Sequence, residues 1–281
     1  MKTSLAVLAI ALALAAIAAG GAGANGSPFS PGLDWGSNGV LAERAGLRYV
    51  TISSENATIV AAIRTRGGRI ARMRYLRGHF GVPLVAYDGT SGGLSGDGKR
   101  LVLGSYGPPP GISGITSFAV LDTKSLKPRK LIRLDGSWSF DAVAPDASTL
   151  YLTQHVRAGA NPIYRVRPFD VRTGLLRGPI VDRLEGTGDM GGEPVTRASS
   201  SDGRWAYTLY ARAKYEPFIH ALDTEKKEAF CIGLPLDLTR DQQWTLRLKL
   251  REHSERLTVY HQRRLLATVD TDSWDVEAEG R

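Results

Sequence analysis

Leu94-Ser95-Gly96-Asp97-Gly98-Lys99-Arg100-Leu101-Val102-Leu103 sets a turn of Ser, Gly and Asp directly before an apolar run. The pattern returns as Val143-Ala144-Pro145-Asp146-Ala147-Ser148-Thr149-Leu150-Tyr151-Leu152 and as Ser199-Ser200-Ser201-Asp202-Gly203-Arg204-Trp205-Ala206-Tyr207-Thr208. The turn aspartates Asp97, Asp146 and Asp202 are separated by 49 and 56 residues. A second pattern trails the first: Phe118-Ala119-Val120-Leu121-Asp122-Thr123, then Tyr164 to Val171 around Asp170, Phe218 to Thr224 around Asp223, and Leu265 to Thr271 around Asp270. These aspartates lie 48, 53 and 47 residues apart. Two motifs in step at one period mark an internal repeat.

Within each repeat the runs are short and alternate. In Trp244-Thr245-Leu246-Arg247-Leu248-Lys249-Leu250-Arg251 the leucines share one face and the Thr, Arg and Lys the other, the period of a half-buried strand. Residues 69–77 alternate likewise after the hairpin signal Gly67-Gly68. From Leu47 onward no helix-period segment of ten or more residues interrupts them. A repeat of about 40–50 residues with four short strands describes a propeller blade. The expected fold is all-β, a β-propeller of four-stranded antiparallel blades. The blades fall at 47–77, 82–134, 137–183, 192–234 and 244–276, about five in all. The first and last each look short of a strand. They either complete each other in a four-bladed ring or leave the ring incomplete.

The turns resemble those of YVTN-type and WD-repeat-like bacterial propellers. There a Ser-Pro-Asp-Gly turn joins the first two strands of a blade, and an Asp-Thr turn follows the third. The resemblance covers about 47–276 and is divergent: Gly96 and Ser201 stand in place of Pro, and Ala147 in place of Gly. A TolB-like or lactonase-like repeat implies interaction surfaces as a common use. Its lactonase-like members imply a divalent metal in the central channel, for which Asp141 and Glu193 are the nearest carboxylates.

The chain opens as an exported one does. Lys2 precedes the apolar run Leu5 to Ala18, and Ala22-Gly23-Ala24 has the small-x-small form of a cleavage site. The run is shorter than the roughly 20 residues that span a bilayer. Residues 1–24 therefore read as a signal peptide, an uncleaved anchor being the alternative. Residues 25–46 read as a flexible lead-in and 47–276 as the propeller. No later run is apolar enough to span, so a secreted, periplasmic or cell-surface location is expected. The formal charge of +8 favours anionic surfaces, and an exported chain without a nucleic-acid motif excludes DNA and RNA as partners. The expected partner is an envelope protein or a polar or anionic polymer. Cys231 is the only cysteine and sits in an apolar run, so neither an internal disulfide nor a catalytic thiol is expected.

In a four-stranded blade the loops between its first two strands and between its last two lie on one side, and the longer connections on the other. That second face carries the candidate binding residues His79, Tyr106, Trp138, Arg157, Asn161, Asp189, Glu193, Lys214 and Tyr215. Aromatic and charged groups together suit a polar or sugar-like ligand. No Gly-x-Ser-x-Gly elbow or zinc-spaced histidine pair occurs, and the Gly186 to Gly192 run lacks a phosphate-loop ending. Asp189 and Glu193 offer oxygen to a Ca²⁺ ion but are too few to define a site, so Ca²⁺ is the only cofactor considered. The reading is a non-catalytic binding or scaffold module, with a metal-dependent lactonase-like hydrolase as the alternative. The arginines at 64, 66, 69, 72, 74 and 77 form the densest charge cluster, either an anionic docking surface or a charged strand that blocks edge-to-edge aggregation.

Overall fold

The computed structural model describes residues 30–36, 38–159, 162–212, 214–251 and 255–279. Residues 1–24, expected from sequence to be a signal peptide, and Asn161 and His253 lie outside them. Of strands β1 (Leu33–Asp34) to β20 (Val276–Ala278), all but β1 and β6 build five consecutive antiparallel sheets, the blades of a divergent β-propeller. Apolar side chains on facing sheets join blades 1 and 2, 2 and 3, 3 and 4, and 4 and 5 into successive cores. Among the described residues no such core joins blade 5 to blade 1.

Blade 1 comprises β2 (Val40–Ala42), β3 (Leu47–Ser54), β4 (Ala57–Arg64) and β5 (Ile70–Arg77). It has four strands where the sequence suggested three, and it begins inside the expected lead-in. The inner strand is three residues long and follows Gly39, whose φ of 52° turns the chain beside Tyr49. A strand that short shows no alternation to read. Blade 5 is likewise complete: β17 (Leu246–Arg251), β18 (Arg256–His261), β19 (Arg264–Asp270) and β20.

Blade 4 is the regular unit, with β13 (Glu193–Ser199), β14 (Trp205–Arg212), β15 (Tyr215–Asp223) and β16 (Glu228–Gly233). Blade 3 has β10 (Trp138–Val143), β11 (Thr149–Arg157) and β12 (Ile163–Asp170), its outer strand reduced to the bridge Phe169–Leu176. Blade 2 has β7 (Arg100–Gly104), β8 (Ile115–Asp122) and β9 (Pro128–Asp135), and its inner strand is interrupted. Gly81 pairs with Gly104 and Leu94 with Leu101, but residues 82–92 leave the blade between them. Their first residues, β6 (Val82–Pro83), pair with β1, and Leu84 pairs back on Ser91. At the tip, Tyr87 N–H and Asp88 N–H donate to Pro194 O and Val195 O of blade 4 at 2.8 and 3.1 Å. The insertion thus runs from the inner edge of blade 2 to the inner strand of blade 4.

The repeat motifs meet physically on one face. With strands lettered A to D from the centre outward, Asp97, Asp146 and Asp202 sit in the A–B turns. Each accepts the N–H two residues on, at 2.9 Å from Lys99, Ser148 and Arg204. Asp122, Asp170, Asp223 and Asp270 accept turn N–H groups in the C–D turns. The hydroxyls of Thr123 and Thr224 donate across to Gly98 O (2.7 Å) and Arg204 O (2.7 Å) of the A–B turns. Arg100 pairs with Asp122 and Arg204 with Asp223, at 3.2 and 2.6 Å. In blades 2 and 4 these contacts latch one motif to the other.

Candidate binding cleft

On the opposite, B–C face a cleft opens between blades 3 and 4 beside the 82–92 insertion. It is lined by Pro31, Val85, Ser139, Phe140, Asp141 and His155, and by Tyr164, Glu193 and Tyr210 among others. It encloses about 60 Å³ within an open concavity of about 640 Å³. A roomier cavity of about 540 Å³ lies on the A–B face, where Glu43, Arg44, Asp97, Asp141 and Arg197 stand among apolar and small residues. Val85, Phe140 and Asp141 border both. Only the smaller cleft sets polar groups, Ser139, His155 and Glu193, beside a stacked tyrosine pair, which is why it is the better candidate.

Inner-strand irregularities aim the polar groups. The β10–β11 register shifts between Phe140 and Ala142, leaving Asp141 as the bulged residue. The same shift in β13 falls on Val195, whose carbonyl receives Asp88 N–H. Asp141 and Arg197 form a fully buried ion pair; Arg197 also holds the Asp141 carbonyl and donates to Thr208 Oγ1 at 2.8 Å. Asp141 Oδ2 is left buried without a hydrogen-bond partner, as is His220 Nδ1 in blade 4. A stranded buried acceptor carries a desolvation cost of about 1–3 kcal/mol unless something donates to it.

Beside Asp141, Ser139 Oγ and His155 Nε2 lie 2.9 Å apart. Burial pushes the His155 imidazole down to about 4, so the ring is neutral at physiological pH. Glu193 is held above the usual carboxylate range by burial, against the lowering effects of the Tyr87 hydroxyl and Arg240. Tyr87 itself is raised, first by burial and then by Glu193. Tyr164 and Tyr210 stack at 5.9 Å between ring centroids, and Phe218 continues the stack at 5.0 Å. Tyr164 hydroxyl donates to Gly192 O at 3.0 Å. The site offers carboxylate oxygens, one neutral imidazole, the hydroxyls of Ser139 and Thr153, the Arg157 guanidinium and an aromatic wall.

Of the residues expected from sequence, Arg157 and Glu193 line this cleft. Tyr106 and Trp138 border a neighbouring cavity with Ser139 and His155. Tyr106 packs edge-on against Trp35, while Trp138 is buried in the core of blades 2 and 3 with its Nε1–H on Asp135 O at 2.8 Å. An aromatic ring on an inner strand is worth more in the core than at the surface. Asp189 is tied to Arg165 and does not reach the cleft. His79, Lys214 and Tyr215 are exposed and away from it, Tyr215 lying against Arg212. Ser139, His155, Tyr164 and Tyr210 had gone unnoticed among the strand residues. The one signal for them was the polar pair Ser139 and Asp141 inside an otherwise apolar inner strand.

No protein-family model matches the chain, and no curated protein matches it. Solved structures similar to it include TolB from Acinetobacter baumannii, at 12% identity and a TM-score of 0.42 over 83% of this chain and 51% of that one. The Cps50 (Swd1) β-propeller domain of Myceliophteria thermophila is 12% identical at a TM-score of 0.46, covering 84% and 68%. A putative TolB from Agrobacterium tumefaciens is 15% identical at 0.43, covering 82% and 76%. The chain thus spans about half the length of the first of these. Among the described residues no helix is long and apolar enough to cross a membrane.

Proposed function

We propose that the chain is an exported binding module whose B–C cleft holds a small, hydroxyl-rich ligand, such as a sugar or polyol, without transforming it. The observation that carries this reading is the convergence of Asp141, Glu193, Ser139 and His155 beside the Tyr164–Tyr210 stack. Acceptors beside an aromatic face recognise donors on a ring with an apolar side. A base with a pKa of about 4 is a weak proton acceptor, far from the value near neutrality that general-base catalysis favours. Ser139 and His155 therefore work as hydrogen-bonding groups rather than as a nucleophilic dyad.

A metal-dependent hydrolase is less well supported. Asp141 already faces a guanidinium, and no group of three or more His, Cys, Asp or Glu side chains among the described residues is placed to hold a metal ion. Export rests on residues 1–24. Fractionation of cells expressing the full chain tests it, and retention in the cytoplasm with residue 1 intact would refute it.

The binding reading is tested by thermal melting against neutral sugars, amino sugars and polyols, with Ca²⁺ and EDTA alongside. A ligand at 100 times its dissociation constant adds about 2.7 kcal/mol. For a domain of this size that raises Tm by roughly 5–10 °C. A sugar or polyol shift lost in Glu193→Gln supports the reading. A chelator-reversible Ca²⁺ shift with no response to the panel would replace it with the metal site.

A further inference from the structure

The two sides of blade 1 are unlike. Cross-strand pairing puts Tyr49, Ala62 and Arg72 on one side and Val50, Ala61 and Met73 on the other; Thr51, Val60 and Arg74 then oppose Ile52, Ile59 and Tyr75. The first side packs on blade 2, where Arg72 and Arg74 donate to the carbonyls of Lys124 and Ser125 at 2.9 and 3.2 Å. On the second side Val50 and Ala61 are buried, while the apolar residues of β5 and of the far end of β3 are open. Ile52, Met73 and Tyr75 there are 48%, 56% and 64% exposed, and Ile70 beside them 60%. The corresponding outward side of blade 5 carries Arg247, Lys249 and Thr258 instead, so the apolar side is not a general property of the end blades.

The rim of that apolar side is cationic. Arg77, paired with Ala57, is exposed on that side and Arg66 is exposed at the β4–β5 turn; Arg64, paired with Leu47, and Arg69 across from it are exposed at the hairpin end but belong to the side that packs on blade 2. Between Glu55 and Asp88 the chain holds no carboxylate. Among the described residues none of these four forms an ion pair, whereas Arg100, Arg129, Arg165, Arg183, Arg197 and Arg204 all do.

We propose that this face of blade 1 docks on an anionic lipid surface. Its apolar side chains enter the interface, with Tyr75 at headgroup level, and Arg66 and Arg77 meet the phosphates. A second copy is disfavoured because it would bring two cationic rims together. An acidic protein would need carboxylates at fixed positions opposite arginines that no contact holds in one geometry, whereas a bilayer supplies a fluid array of anions. The face is separate from the B–C cleft and independent of what the cleft holds.

The test is co-sedimentation of the full chain with vesicles of phosphatidylcholine alone and of phosphatidylcholine with about one-third phosphatidylglycerol. Binding is expected to the anionic vesicles only and to weaken with salt. The double substitution Arg66→Glu, Arg77→Glu should lower partitioning on the order of 100-fold. Met73→Ser with Tyr75→Ser should lower it roughly tenfold. Melting curves establish that both variants fold; if the arginine variant does not, single Arg66→Gln, at the hairpin tip, replaces it with an expected loss of about fivefold. Binding that is equal on both vesicles, or unchanged in both variants, would overturn the proposal and point to residues 1–29. Binding to poly-glutamate but not to vesicles would overturn it in favour of an acidic protein. Self-association that Met73→Ser and Tyr75→Ser abolish, without vesicle binding, would overturn it in favour of a second copy.

Discussion

The A–B face and the B–C face are made by the same blades, but only the first repeats. On the A–B face one device recurs: a turn aspartate caps its own backbone, and the Asp-Thr of the C–D turn reaches over to latch it. On the B–C face no two blades contribute the same groups. Blade 2 sends the 82–92 insertion, blade 3 gives Ser139, Asp141, His155 and Tyr164, and blade 4 gives Glu193 and Tyr210. Where the repeat is kept, its residues satisfy backbone groups; where it is broken, polar side chains are left facing a cleft. Substitutions on the A–B face should therefore cost stability and spare binding, and those on the B–C face the reverse.

The largest effect belongs to Asp141, which borders both cavities. Arg197→Met strands the buried Asp141 carboxylate and should cost about 3–5 kcal/mol, read by urea denaturation. A loss below about 1 kcal/mol would mean the pair is hydrated and the channel open. Next is Asp223→Ala, which removes a buried carboxylate that accepts Glu225 N–H, Lys226 N–H and the Arg204 guanidinium. It should cost about 2–3 kcal/mol while leaving any cleft ligand bound as tightly as before. Weakened binding in a folded Asp223→Ala protein would break the division between the faces.

Acid should separate the faces by pH window. His155 titrates low in the folded state, so the unfolded chain takes up its proton first. Stability present above about 6.5 is then lost as pH falls towards about 4, by roughly 2–3 kcal/mol. Buried His220, also lowered, acts in the same direction. Glu193 is raised and acts oppositely, its stabilising effect being lost as pH rises above the usual carboxylate range. The A–B aspartates, Asp97, Asp202 and Asp223, are lowered, so their contribution is lost only below about 3.8. His155→Gln should flatten the upper window in a pH series of melts and leave the lower one intact. The smallest effect is a gain. The fourth residue after each C–D aspartate is left-handed, Gly174 in one blade but Leu126, Lys227 and Trp274 in the others. Exposed Lys227→Gly should stabilise by about 0.5–1 kcal/mol.

The fold was legible because its turns are chemical. Asp97, Asp146 and Asp202 were read as turn formers from their place before apolar runs, and their side chains hold backbone N–H groups two residues on. The ends of the ring were less legible, since Val40–Ala42 and Val276–Ala278 are three-residue strands. The insertion was hidden because Val82-Pro83-Leu84-Val85-Ala86 reads as the inner strand it replaces. The cleft was hidden more deeply. Strict alternation does not forecast that a bulge re-aims Asp141, and Tyr164 meets Tyr210 and Glu193 only once blades 3 and 4 are assembled. Loop length pointed to the side of the blades where this cleft lies but could not separate Arg157 and Glu193 from Asp189, which Arg165 occupies.

The division of labour between the faces is tested most directly by calorimetric titration of a panel of sugars, amino sugars and polyols into the wild type, Glu193→Gln and Asp223→Ala. At least one compound should bind the wild type saturably. The same compound should bind Asp223→Ala equally well and Glu193→Gln about tenfold more weakly, the loss of one charge-assisted hydrogen bond. A panel that is silent throughout, or a compound that Glu193→Gln binds as well as the wild type, would contradict the account.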